Sequence, residues 1–128
     1  MEKFQLLHGV EVNGTVHFNF AVRLPVVRDT ITALQTTSQA LGTTDGAAAG
    51  MYYRVAVLAA GALTSLGDLT PDDITPDLLL DGLSDEDYDL IDAQIEALKK
   101  KRIDLRASSQ ATGLPSSLSD DTASPNSK

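Results

Sequence analysis

The only imidazoles in the chain are His8 and His17, and there is no cysteine. Zinc sites draw their ligands chiefly from Cys and His. With no further His or Cys to complete such a set, the pair reads as ordinary strand residues on opposite faces of a hairpin. The densest cluster of ionisable groups is acidic: Asp68, Asp72, Asp73, Asp77, Asp81, Asp85, Glu86, Asp87, Asp89 and Asp92. It lacks the alternating acids, central glycine and terminal glutamate of a calcium loop. Several of its members instead sit where helix starts need caps and first-turn acids, so the series reads as capping residues and a solvated face. Ser65 and the C-terminal serines have neither a nucleophile-elbow motif nor a histidine partner, and Gly9, Gly14 and Gly42 do not form a phosphate-binding pattern. Lys99-Lys100-Lys101-Arg102 is the one basic run, and it reads as the end of a helix rather than a nucleic-acid contact. No residue is assigned a catalytic, cofactor-binding or metal-binding role, and the chain is expected not to be an enzyme.

The remaining candidate is apolar. Tyr88, Ile91, Ile95 and Leu98 recur at helical spacing, a stripe that serves as core or as a docking surface for a partner helix. These four are the candidate partner-binding residues.

The elements that would position these groups follow from pattern. Two apolar runs meet at Val12-Asn13-Gly14, and Asn-Gly between such runs is a hairpin signal. A two-residue turn leaves the apolar sets of the two strands on opposite faces. A three-residue loop with Gly14 left-handed pairs Val10 with Val16, His8 with Phe18, Leu6 with Phe20 and Phe4 with Val22, and is the expected register. It makes Leu6, Val10, Phe18 and Phe20 one apolar face, to be covered by the helices C-terminal to it. Pro25 suits a first helical position, and Val27, Ile31, Leu34, Ser38 and Leu41 then keep helical spacing up to Gly42. An Ala-rich helix is expected from about Ala47 to Leu66, a short one from Pro76 toward Gly82, and a well-capped one over about 85–104.

The chain has 128 residues, 42% of them hydrophobic, with a net charge of −8 and a pI near 4.5. That charge repels phosphate backbones and anionic lipid, so neither nucleic acid nor membrane is an expected partner. The longest apolar run, Val55 to Leu66, is short of the roughly 20 residues a membrane span requires, and no leader-like segment opens the chain. The expected fold is α+β, an N-terminal β-hairpin packed on a small bundle of three to four helices. Residues 1–105 form that domain, and 106–128, rich in Ser, Thr, Asp and Pro, form a disordered tail.

In order, the chain has the Val12-Asn13-Gly14 turn, the Arg23-x-Pro25 exit with Asp29 four residues after the proline, and an Ala-rich helix. Leu63-x-x-Leu66-Gly67-Asp68-Leu69 and the acid-capped helix around Asp87-Tyr88 complete the series. It resembles, over roughly residues 4–100, the small tail assembly chaperones of Mu-like and related tailed bacteriophages. The resemblance implies a non-catalytic protein that binds the tape measure protein, keeps it soluble during tail morphogenesis, acts in the host bacterial cytoplasm and is absent from the mature virion. It also implies a longer form made by ribosomal frameshifting. That form and further copies of the chain in an oligomer join the tape measure protein as candidate partners. Asn13, Gly14, Arg23, Pro25 and Asp29 are then the structural motif, with Arg23 and Asp29 forming an ion pair at the hairpin-to-helix corner. A structural tail component of the virion and a small acidic adaptor or inhibitor of a host protein are the alternative readings.

Overall fold

A computed structural model describes residues 4–111 of the chain. Strands β1 (Phe4–Val12) and β2 (Thr15–Val22) form the hairpin, followed by helices α1 (Val27–Leu41) and α2 (Ala47–Val57). A π-helical turn, Leu58–Ala62, leads into a third strand, β3 (Leu63–Leu66). A short 3-10 turn, Pro71–Asp73, then precedes α3 (Pro76–Gly82) and α4 (Asp85–Ala111). The fold is α+β, and its sheet is antiparallel with order β1-β2-β3. The chain divides into a unit of residues 1–95 and a second unit beginning at Glu96.

The hairpin departs from the expected register. Asn13 and Gly14 both have positive φ, 53° and 83°, and Val12 pairs with Thr15, so the turn has two residues and not three. The parity problem is solved further along β1. Gln5 pairs with Asn19 and Val10 with His17, which leaves four residues, Leu6–Gly9, opposite Phe18 alone. An odd excess of three residues reverses the parity of β1, so Phe4 meets Phe20 on one face of the hairpin while Val10 pairs with His17 on the other. The Phe4 and Phe20 rings lie 5.7 Å apart. Leu6, Val10 and Phe20 are buried as expected, whereas Phe18, expected with them, is 42% exposed.

The expected helix over 47–66 ends early. Gly61 leaves the helical region at φ 154°, and Leu63, Thr64, Ser65 and Leu66 extend to pair with the otherwise open edge of β2. Burial of Leu63 and Leu66 outweighs the helical continuation of the local pattern. At the other end, α4 runs past 104 to Ala111 because Arg106, Ala107 and Gln110 are good helix formers and the first breakers, Gly113 and Pro115, come later. Residues 106–111, expected in the tail, are therefore helical, and 112–128 lie outside the described residues.

Phe20, Leu66, Leu79, Ile91 and Val10 are the largest fully buried apolar side chains of the core. Asp87, placed with the solvated acids by sequence, is fully buried among them. Its Oδ1 accepts from the N–H of Leu7 at 2.7 Å, and its Oδ2 accepts from those of His8 and Gly9, both at 3.0 Å. One carboxylate thus binds the donors that the β1 bulge takes out of the ladder.

Candidate functional site: an apolar helix face

Helix α1 begins at Val27 with Val26 as its N-cap, so Pro25, expected at the first helical position, stands two residues before the helix, at a corner built on an ion pair. Arg23 Nη1 donates to Asp29 Oδ2 at 2.7 Å and Nη2 to Oδ1 at 3.1 Å, while the Val26 N–H also donates to Oδ2, at 2.8 Å. The guanidinium holds the Asp29 carboxyl below its ordinary range, with burial pulling the other way and the Val26 N–H reinforcing the effect. This is the ion pair expected from Arg23, Pro25 and Asp29, with the carboxylate buried and not surface-exposed. Gly61 makes room for it, since a Cβ there would run into the guanidinium and stand 3.2 Å from Asp29 Oδ1. At the far end Gly42, left-handed at φ 75°, closes the helix with its N–H on Ser38 O.

The side of α1 turned toward the fold is made of small and polar residues, Asp29, Ala33 and Thr37. Thr37 satisfies its buried hydroxyl on Ala33 O at 2.7 Å. The large apolar residues point elsewhere: Val27 is 76% exposed, Ile31 48%, Leu34 42% and Leu41 44%, with Val26 at 55% beside them. At about 100° per residue, Val27, Ile31, Leu34, Ser38 and Leu41 fall within an arc of about 80°, away from the packed side. The apolar periodicity that identifies the helix is thus turned outward. Charge is nearly absent from this helix, whose charged residues are Arg28 and the internally paired Asp29.

The four expected partner-binding residues fare differently. Ile91 and Ile95 are core, at 0% and 5% exposure, and offer nothing to a partner. Tyr88 is half-buried, and that burial, with Asp92 nearby, pushes its phenol up. Leu98, in the second unit, is half-buried as well. The outward face of α1 was legible as helical spacing, but nothing in the sequence said that Ala33 and Thr37 would take the inner side.

The polar candidates resolve into structural roles. His17 is buried and its Nδ1 accepts from the Asp68 N–H at 3.3 Å. His8 lies on the exposed side, with Nε2 2.7 Å from Glu86 Oε1. Ser84 and Thr75 cap their helices as the sequence suggests, and Asp73 Oδ2 accepts from the N–H and hydroxyl of Thr70 at the start of the 3-10 turn. Lys99 pairs with Glu96 at 2.9 Å, and Lys100, Lys101 and Arg102 are exposed. Among the described residues no group of three or more His, Asp or Glu is arranged to hold a metal ion, and no helix is long and apolar enough to cross a membrane. An open hollow of about 470 Å³ is lined by His8, Gly9, Glu11, Asn13, Val16, Asp81 and Gly82, with no hydroxyl or thiol nucleophile in its wall. Comparison with family models, with curated proteins and with solved structures returns no match.

Proposed function

We propose that this chain is a non-catalytic tail assembly chaperone, which holds a phage tape measure protein soluble in the host cytoplasm by covering apolar stripes on its helices. The observation that carries the reading is the outward face of α1, a helix-spaced row of aliphatic side chains left open on a small acidic domain. Contiguous exposed apolar surface of this kind marks interaction sites, and its 4-3 spacing suits an amphipathic helix laid alongside. The net charge of −8 keeps the complex dispersed while the client is held. The resemblance in motif order supplies the identity of the client. The docking surface is thereby assigned to α1 and not to the α4 stripe.

Co-expression with the tape measure protein of the same genome tests this directly. The client's soluble fraction should rise, and the two chains should purify together. Ile31→Lys or Leu34→Lys should cut co-purification at least tenfold while leaving the far-UV circular dichroism unchanged. Ile95→Lys should instead unfold the domain. A folded chain that neither rescues nor binds the client removes the reading, as does capture that survives both α1 substitutions.

A further inference from the structure

We propose that, in the absence of a client, the Val27–Leu41 face of α1 is covered by the same face of a second copy of this chain, with the two helices antiparallel. The competition between this dimer and the client rests on the function proposed above, whereas the dimer itself does not.

Three observations lead there. Val27, Ile31, Leu34, Ser38 and Leu41 alternate steps of four and three over two heptads, the spacing of a seam between two helices. The residues are exposed, and in a helix of 15 residues they form a strip about 22 Å long. Charge then favours this face for self-contact. Two chains of net charge −8 repel, yet between Glu11 and Asp45 the only acid is Asp29, which is turned inward and bonded to Arg23. Copies therefore meet least opposition here.

Orientation follows from the ends of the helix. The last turn of α1 has no basic residue, so the negative end of its dipole lacks a cation, while Arg28 stands exposed in the first turn. Antiparallel pairing brings Arg28 of each copy toward the other's last turn and supplies that cation twice. Parallel pairing would set the two Arg28 side chains together and leave both carbonyl ends uncompensated. Area sets the strength. Stable interfaces bury about 800 Å² on each partner, more than four part-exposed aliphatic side chains provide, so the dimer dissociates on dilution. A cover that must yield to a client has to be weak in this way.

Sedimentation velocity of the full chain over a concentration series is the test. The weight-average mass should climb from the 13.6 kDa of one chain toward twice that value. Leu34→Lys should hold it at the monomer throughout, Arg28→Glu should weaken association several-fold, and Ile103→Lys, at an exposed site in α4, should change nothing. Direction is read by cross-linking, since the chain has no cysteine of its own. A mixture of the Val27→Cys and Leu41→Cys variants should give the mixed adduct with a short bis-maleimide, in excess over either variant alone. A chain monomeric up to millimolar concentration overturns the proposal, as does a dimer indifferent to Leu34→Lys or a predominance of Val27→Cys self-adducts. A dimer behaving as described without client capture removes the chaperone reading and keeps this one. Capture by a chain that is monomeric when free does the reverse.

Discussion

Asp87 holds three backbone donors on two oxygens, with no solvent contact, from a position 78 to 80 residues away in sequence. Its own N–H is taken by Ser84 Oγ at 3.1 Å, which is half of a capping box. The acid that such a box would return to its own N-cap has gone to another element instead. Asp87→Ala leaves the Leu7, His8 and Gly9 N–H groups without their acceptor, at a cost of about 1–3 kcal/mol for each donor left buried and unsatisfied. Denaturant unfolding should show that loss, with faster amide exchange at those three residues. A change under about 1 kcal/mol would mean that water replaces the carboxylate there. Next to it His8 gains a raised pKa, mainly from its hydrogen bond to Glu86. The stabilisation from that bond is fully present below the unfolded value of 6.5 and is lost as pH rises through the higher folded-state pKa. An NMR titration should place the His8 midpoint above 6.5 in the native chain and return it there in Glu86→Gln.

Each end of the β1–β2 hairpin obeys a different constraint. Near the turn, Asn13 and Gly14 enforce a two-residue reversal because both tolerate positive φ. Farther out, the core requires Phe20 and Leu6 inside. These demands have opposite parity, and the Leu6–Gly9 bulge reconciles them. Phe20→Ala should therefore cost about 3–5 kcal/mol, whereas Phe18→Ala should cost under about 1 kcal/mol. Equal losses in thermal or urea unfolding would restore the three-residue loop, which puts both rings in the core. The same opposition between local pattern and packing explains β3. Leu63–Leu66 reads as the end of an apolar helix, and only the open edge of β2 makes it a strand. In α1 the pattern predicts the helix but not its rotation, because the corner fixed by Arg23 and Asp29 turns Ala33 and Thr37 inward.

At the scale of the whole molecule, acids and the α1 row occupy different stretches of the chain. Acids crowd the chain from Asp68 to Asp92, while α1 carries the exposed aliphatic row and almost no charge. Repulsion between copies limits association, so the α1 dimer should tighten when salt screens the acidic surfaces. It should also tighten as pH falls toward the pI of about 4.5, where the net charge vanishes. Sedimentation in low and high salt checks the first expectation. Weaker association in high salt would place the contact between opposite charges instead of along the apolar row.

The sequence by itself determined the α+β class, the Asn13-Gly14 reversal, the α1 helix and its end at Gly42, the Arg23–Asp29 pair and the caps at Thr75 and Ser84. Each depends on residues a few positions apart, where the allowed φ, a side-chain oxygen or a short charge separation is enough. Only the tertiary structure decided that Asp87 is buried against β1, that residues 63–66 pair with β2, that Phe18 faces water, and that α1 keeps its large apolar side chains outside while α4 buries Ile91 and Ile95. Those outcomes turn on which of several apolar stripes fills one small core. That choice is a competition among segments distant in sequence, and no single segment's pattern records its result.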